Sequence, residues 1–261
     1  HKHTALRKTN HGFVINGEKF YCTGSLFAQR IPTLVTDDLE HQFLAFVPSN
    51  NIGLTFIDDW SGFGQRTTGS GTVKFDNVHI LAEDVIAFDE AYSKPTISGP
   101  FAQLIHAAIE TGIARAAFEE TLIHVRQARP WIDSGVEYAT QDPLTLFELG
   151  RVVTDVRASE VLLKRAAQSV DLAKADPTEH HVAQASLDVA KVRAHSTETA
   201  LKASSKLIEL AGSRGSQRQT GLDRFWRNAR VHTLHDASRW KYYFIANFAL
   251  NGVIPPRRGT L

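Results

Sequence analysis

Arg227-Asn228-Ala229-Arg230-Val231-His232-Thr233-Leu234-His235-Asp236 gathers two guanidiniums, two imidazoles and a carboxylate into one short segment. His232 and His235 are three apart, so on a helical turn both rings leave the same face and address one buried ligand, with Asp236 beside them. Imidazole donates or accepts a proton near neutral pH, which suits the pair to general acid–base work. Two imidazoles at this spacing also suit a shared metal ion. No third and fourth ligand accompanies them, and the chain contains no Glu-x-x-His, which removes the di-iron carboxylate bundles. No metal is expected.

Four other places carry candidate chemistry. Lys19-Phe20-Tyr21-Cys22-Thr23 sets an aromatic ring, a thiol and a hydroxyl side by side; read without further context it is a hairpin strand with Cys22 as a small buried hydrophobe. Trp60 offers a large apolar face with one N–H, suited equally to walling a small-molecule pocket and to ordinary packing. Arg126 and Arg129 flank the end of a helical pattern, and the planar guanidinium fork donates two parallel bonds to a phosphate. Ala211-Gly212-Ser213-Arg214-Gly215-Ser216 is a loop whose backbone N–H groups, hydroxyls and Arg214 suit a phosphate, while Gly212 serves as well as a helix C-cap.

The elements that must position these residues fall into two kinds. Up to about Ile86 the chain reads as strands, Phe13-Val14-Ile15, Phe43-Leu44-Ala45-Phe46-Val47, Leu54-Thr55-Phe56-Ile57 and Val73-Lys74-Phe75, separated by turn chemistry. Asn16-Gly17 predicts a type I′ hairpin between Phe13-Val14-Ile15 and Lys19-Phe20-Tyr21. After Ser98-Gly99-Pro100 the period becomes helical, with Phe101, Leu104, Ile105, Ala108, Ile109, Gly112, Ile113 and Ala116, and Arg126 to Pro130 ends that helix. Asp142-Pro143 opens a second helix with the stripe Leu149, Val153, Val156, Leu163, Ala167 and Val170, and Asp176-Pro177 repeats the device. The third, carrying Val182, Ser186, Val189, Ala200, Ala203, Leu207 and Leu210, is rich in alanine and ends at Gly212, which predicts close helix packing, including packing between subunits. A last helix spans about 236–250. The expectation is an α+β chain, with a β domain over residues 1–95 followed by an antiparallel four-helix bundle over residues 96–261.

Composition narrows the function classes. A net charge of +1 with 22% charged residues gives no overall bias toward nucleic acid or an anionic membrane, so a small molecule is the expected ligand. One cysteine, Cys22, excludes an internal disulfide framework and fits a reducing compartment, the cytoplasm by default. No run of eighteen apolar residues occurs, and His-Lys-His-Thr-Ala-Leu-Arg at the start lacks the apolar core of a signal peptide. With no methionine and a histidine first, the chain reads as a fragment.

Several of these segments also carry a family resemblance. Arg227-Asn228-Ala229-Arg230-Val231 resembles the Arg-Asp-Ala-Lys-Ile signature of acyl-CoA dehydrogenases, and the following His-Thr-Leu-His resembles the flavin-dependent monooxygenase branch of that superfamily, which includes the dibenzothiophene monooxygenases and the sulfur-acquisition oxidoreductases. Asn16 to Gly24 is similar to the family's Asn-Gly-x-Lys-x-Trp-Ile-Thr-Asn segment. By that match Tyr21 packs on the flavin ring, Thr23 bonds to its polar edge, and Cys22 stands where the branch often has serine. Trp60-Ser61-Gly62-Phe63-Gly64-Gln65-Arg66 points to the sulfur-acquisition group. Arg126 and Arg129, with Arg129 the better match, fall where the family supplies an arginine to the cofactor phosphate across a subunit interface. Ser213 and Arg214 lie at its Gly-Gly-x-Gly cofactor contact. Relative to the family, the N-terminal helical domain and first β strands are absent.

The resemblance implies an enzyme that uses reduced FMN and O2, through a C4a-(hydro)peroxyflavin, to oxygenate a small organosulfur compound. His235, with His232 in support, would bond to the peroxide; a separate flavin reductase would supply reduced FMN, and the assembly would be a homotetramer. An FAD-dependent acyl-CoA dehydrogenase is the alternative: Asp236 takes the position of that family's glutamate base, although Ala237-Ser238 replaces the expected Gly-Thr. A non-catalytic oligomerising helical module is the second alternative.

Overall fold

The computed structural model describes residues 4–259. The first three residues of the expected β domain and the last two of the expected bundle lie outside the described residues, as do the first three of the segment read for a signal peptide. The chain divides into two compact units, one of residues up to Gly62 together with Arg66–Lys94, the other of Phe63–Gln65 together with Pro95 onward. The class is α+β, as the alternation of patterns predicts.

The first unit is a seven-stranded sheet: β1 (Ala5–Thr9), β2 (Gly12–Lys19), β3 (Arg30–Thr36), β4 (Gln42–Pro48), β5 (Leu54–Ile57), β6 (Thr72–Ile80) and β7 (Val85–Ala87). The strand order is β5-β6-β2-β1-β3-β4-β7. All neighbours are antiparallel except β1 and β3, which meet in parallel at Ala5 and Thr36. One face is buried by Leu6, Ile15, Val35, Ala45, Val47, Val73, Phe75, Val78 and Ile80. A short helix α1 (Phe88–Ala91) follows β7.

The Asn16-Gly17 hairpin is not formed. β2 runs straight through the pair, and the hairpin turn instead joins β1 to β2 between Thr9 and Gly12. Gly17, at φ 138°, serves a bulge where the β2–β6 register shifts between Ile15 and Gly17. Asn16 braces it: its Oδ1 accepts from the Asn77 backbone N–H at 2.9 Å. Glycine's tolerance of positive φ fits a bulge as well as a turn, and neighbouring residues decide between them.

The second unit holds three long helices, α2 (Ser98–Gln127), α3 (Pro143–Ala175) and α4 (Glu179–Leu210), and two shorter ones, α5 (Asp223–His232) and α6 (Arg239–Asn251). Asp142 caps α3 by accepting from the Leu144 N–H, with Pro143 at the first position. At α4 the cap is Thr178, in an extended conformation and accepting from the His181 N–H, rather than Asp176 followed by Pro177. α5 is a helix additional to the four expected.

The stripe expected for α2 is largely its outer face. Phe101, Ile105 and Ile109 are exposed, whereas Gln103, Ala107, Glu110, Thr111, Ala114, Ala117 and Thr121 are buried. α4 is the cause: it buries Ala183, Ala185, Ala190, Ala194, Ala200 and Ala203, and helices that approach closely pack small side chains and push large ones outward. In α3 the buried positions are Val152, Val156, Ser159, Ala166, Ser169, Val170 and Ala173: Val156 and Val170 are as expected, while Val152 and Ala166 replace the expected Val153 and Ala167. Among the described residues no helix is long and apolar enough to cross a membrane.

Candidate functional site

In the helical unit, α5 ends at His232, and the turn after it carries His235 and Asp236. His232 is buried and His235 exposed. A third imidazole, His106 on α2, joins them. Its Nδ1 lies 3.2 Å from His232 Nε2, and its ring centroid is 3.9 Å from that of His235 at an interplanar angle of 38°. Burial, with the neighbouring His235 and His232, pushes the His106 pKa down to about 4. Burial and the Arg193 guanidinium bring His232 to about 4 as well. Both rings are therefore neutral at physiological pH.

Phe63–Gln65 is clamped onto α5. Phe63 stacks on Trp226, and its carbonyl accepts from Arg227 at 2.8 Å. A Cβ on Gly64 would lie 2.0 Å from the Arg227 carbonyl oxygen, so only glycine permits this approach. The Gln65 N–H donates to Asn228 Oδ1 at 2.7 Å, and the Gln65 side-chain amide reaches His232 Nδ1 at 3.1 Å.

Beneath the imidazoles lies an ion network. Glu110 of α2 and Arg193 of α4, both fully buried, form an ion pair. Ser196 and Thr197 each donate to Glu110 Oε2 at 2.9 Å. Arg193 also lies 3.6 Å from Asp236, as does the buried Lys241 of α6. Although burial alone would raise its pKa, the His235 imidazole at 3.9 Å and the Lys241 and Arg193 charges hold the Asp236 carboxyl well below the usual carboxylate range. Asp236 is thus a firmly ionised anchor with little basicity, and it fixes the turn that bears His235.

In the β unit, Tyr21, Cys22 and Thr23 follow β2. Tyr21 has φ 57° and is 77% exposed, with its ring edge-on to Trp60 at 6.0 Å. The Cys22 thiol donates to the Lys19 carbonyl at 3.3 Å, and burial pushes its pKa up, so it is a thiol and not a thiolate. Thr23 shares a 2.7 Å hydrogen bond with Ser70, which in turn meets Thr68 at 3.0 Å. A cavity of about 370 Å³ opens here, lined by Tyr21, Cys22, Thr23 and Phe20 among others. Exposed rings beside a run of hydroxyls fit a flat heteroaromatic group with a polar edge.

The expected phosphate ligands are exposed cations. Arg126 lies in the last turn of α2 and Arg129 follows it, and neither side chain makes an ion pair or hydrogen bond among the described residues. Ser213 and Arg214 sit on an exposed 3-10 turn, where the Ser213 carbonyl accepts from Ser216.

The structure thus brings His232, His235 and Asp236 together within one unit and Tyr21, Cys22, Thr23 and Trp60 within the other. Sequence reasoning missed His106, Gln65, Glu110 and Arg193 in the first group, and Ser70 and Thr68 in the second. A signal for two of them existed: Gln103, His106 and Glu110 are polar at spacings of three and four in the otherwise apolar stretch 100–110, which places them on one face of the helix. Among the described residues, no group of three or more His, Cys, Asp or Glu side chains is arranged to hold a metal ion.

Comparison with known proteins gives these sites a context. The family profile described as "Acyl-CoA dehydrogenase, C-terminal domain" matches residues 104–240, more than half of the chain. The dibenzothiophene monooxygenase of Rhodococcus erythropolis is 33% identical over 260 residues, an alignment covering 94% of this chain and 62% of that protein. The probable FMNH2-dependent monooxygenase SfnC of Pseudomonas putida is 27% identical, over 92% of this chain and 63% of that protein. The chain therefore spans less than two thirds of the length of these relatives. The crystal structure of FMN-bound TdsC from Paenibacillus sp. A11-2 superposes with a TM-score of 0.93 at 30% identity, covering 99% of this chain and 69% of that one. The chain belongs to the acyl-CoA dehydrogenase superfamily, on the branch that includes the dibenzothiophene monooxygenases.

Proposed function

We propose that the whole protein is a flavin-dependent monooxygenase that uses reduced FMN and O2 to oxygenate a small organosulfur compound. The observation that carries this reading is the cluster of three imidazoles, His106, His232 and His235, placed where an acyl-CoA dehydrogenase needs a free carboxylate base. Asp236, the one carboxylate in that position, is tied to Arg193 and Lys241 and is too weak a base to abstract an α-proton. The alternative of an FAD-dependent acyl-CoA dehydrogenase is weakened by the same geometry.

In this reading residues 1–95 are the middle β domain and residues 96–261 the C-terminal bundle domain. Tyr21 would pack on the flavin ring, Thr23 would bond to its polar edge, and Trp60 would wall the substrate. Cys22 would contribute only a weak thiol donor where a hydroxyl is usual. Arg129 or Arg126, with Ser213 and Arg214, would hold the phosphate. Bound reduced FMN would supply the oxygen-activating chemistry. The chain's own contribution is protonic: His235 donates to or accepts from the reacting oxygen while His232 holds it in place, and Asp236 keeps the His235 turn fixed.

A flavin reductase is the expected supplier of reduced FMN, and a cytoplasmic homotetramer the expected form. The alanine-rich α4 and the exposed Trp240, Tyr243 and Phe248 of α6 support assembly. The relatives named for FMNH2, FMN and dibenzothiophene support the cofactor and the substrate class.

The test is oxygen consumption by the full-length protein with NADH, FMN and a flavin reductase, using dibenzothiophene as the probe. Sulfoxide formation that depends on both FMN and O2, and that falls at least a hundredfold in His235→Phe with flavin binding retained, is the expected result. Tightly bound FAD bleached anaerobically by an acyl-CoA, without oxygenation, would overturn the proposal.

A further inference from the structure

The contacts of His232 have a direction. Gln65 presents its side-chain NH2 to His232 Nδ1 at 3.1 Å, and an amide NH2 only donates. His232 Nδ1 is then the acceptor, so in the neutral ring the proton sits on Nε2. That nitrogen lies 3.2 Å from His106 Nδ1, which in turn accepts. The neutral His106 ring therefore carries its proton on Nε2, which meets no acceptor among the described residues.

Gln65 is built to do this. Its φ of 47° is uncommon for a residue with a side chain, and it is maintained by the 2.7 Å bond from its own N–H to Asn228 and by the Gly64 contact with Arg227. The other end is equally held: His106 is one helical turn from the buried Glu110 and lies against the exposed His235 ring.

We propose that Gln65 and His106 are positioning residues of the site: Gln65 imposes a one-way relay, Gln65 to His232 to His106, that locks both imidazoles as Nε2–H tautomers and leaves a preset donor beside His235. A hydrogen bond from Gln65 to His232 fixes the tautomer because the competing form of His232 would set N–H against N–H at the Gln65 contact and lone pair against lone pair at the His106 contact, forfeiting two hydrogen bonds in a partly buried place. The catalytic consequence, that the donor keeps the oxygen handled by His235 protonated, rests on the monooxygenase reading; the tautomers themselves do not.

The experiment is a two-bond 1H–15N correlation on the full-length protein carrying 15N-labelled histidine, at a pH near 7.5. His232 and His106 should both show the Nε2–H pattern. Observation of Nδ1–H on both rings would overturn the proposal, because the relay would then run toward Gln65; a mixture of tautomers would overturn it as well. Gln65→Glu supplies the converse: a carboxylate only accepts, so the proton should move to His232 Nδ1 and His106 should switch to Nδ1–H. Unswitched tautomers in a variant that keeps the wild-type histidine dispersion would refute the role of Gln65. In the oxygenation assay Gln65→Glu should lower kcat at least tenfold with the KM for substrate within twofold. Correct tautomers in a protein without oxygenase activity would leave the relay standing and remove the proposed function, whereas oxygenase activity with wrong tautomers would do the reverse.

Discussion

Replacing Arg193 tests whether the buried ion network is what holds the site together. The guanidinium is fully buried, ion-paired with Glu110 and 3.6 Å from Asp236. Arg193→Met keeps an unbranched chain of similar length but leaves Glu110 with only the Ser196 and Thr197 hydroxyls, and Asp236 with Lys241 and the flanking His235. Breaking a buried pair by removing one partner costs about 3–5 kcal/mol, because the remaining charge is desolvated and uncompensated. Glu110→Gln is milder, about 1–3 kcal/mol, since the amide oxygen still accepts from both hydroxyls and Arg193 keeps Asp236. The double variant removes both buried charges and should be more stable than Arg193→Met alone, with a coupling on the order of 1–3 kcal/mol. Urea unfolding followed by far-UV circular dichroism measures all four proteins. A loss below about 1 kcal/mol for Arg193→Met, or strict additivity in the cycle, would refute the argument.

Two further outcomes follow from the same geometry. Because His106 and His232 have folded-state pKa values near 4 against about 6.5 unfolded, the unfolded chain binds more protons between these values; their contribution to stability is complete above pH 6.5 and is lost as pH falls toward 4. Urea midpoints should therefore drop through that window by the equivalent of a few kcal/mol, less in His106→Phe, and a flat profile would contradict the burial of these rings. Gly64→Ala would force a Cβ to within 2.0 Å of the Arg227 carbonyl and should cost about 1–3 kcal/mol, whereas Gly150→Ala on α3, where a Cβ meets nothing within 4 Å, should stabilise by about 0.5–1 kcal/mol; equal effects in thermal denaturation would show that the close approach is not real.

Legibility in the sequence followed the range of the interactions. The class, the strands at Phe43–Val47 and Leu54–Ile57, the Asp142-Pro143 helix start and the arrest of α4 before Gly212 are local matters of period and cap, and they are readable from a few residues. The Asn16-Gly17 pair was equally local and misleading, because its bulge is decided by Asn77, far along the chain on β6. The burial face of α2, and in part that of α3, was displaced for a related reason. Hydrophobic period marks where large side chains are, but close packing against the alanines of α4 selects small and polar ones, so Phe101 and Ile109 face outward while Gln103 and Glu110 are enclosed.

The site divides along the same line. His232, His235 and Asp236 were visible because three chemically capable residues share one short segment, but their roles depend on partners that are distant in sequence. Asp236 reads as a candidate base until Arg193 and Lys241 are seen beside it, and then it is an anchor. His232 reads as a proton shuttle until Gln65 and His106 are seen at its two nitrogens, and then its proton has a fixed place. Titratable side chains have no assignable acid–base role from type and spacing alone, since the sign of a pKa shift is set by burial and by charges that only the fold brings near. Gln65 illustrates the converse: a residue with no titration of its own dictates the tautomer of one that has, because an amide NH2 held at a fixed distance leaves the imidazole one way to hydrogen bond.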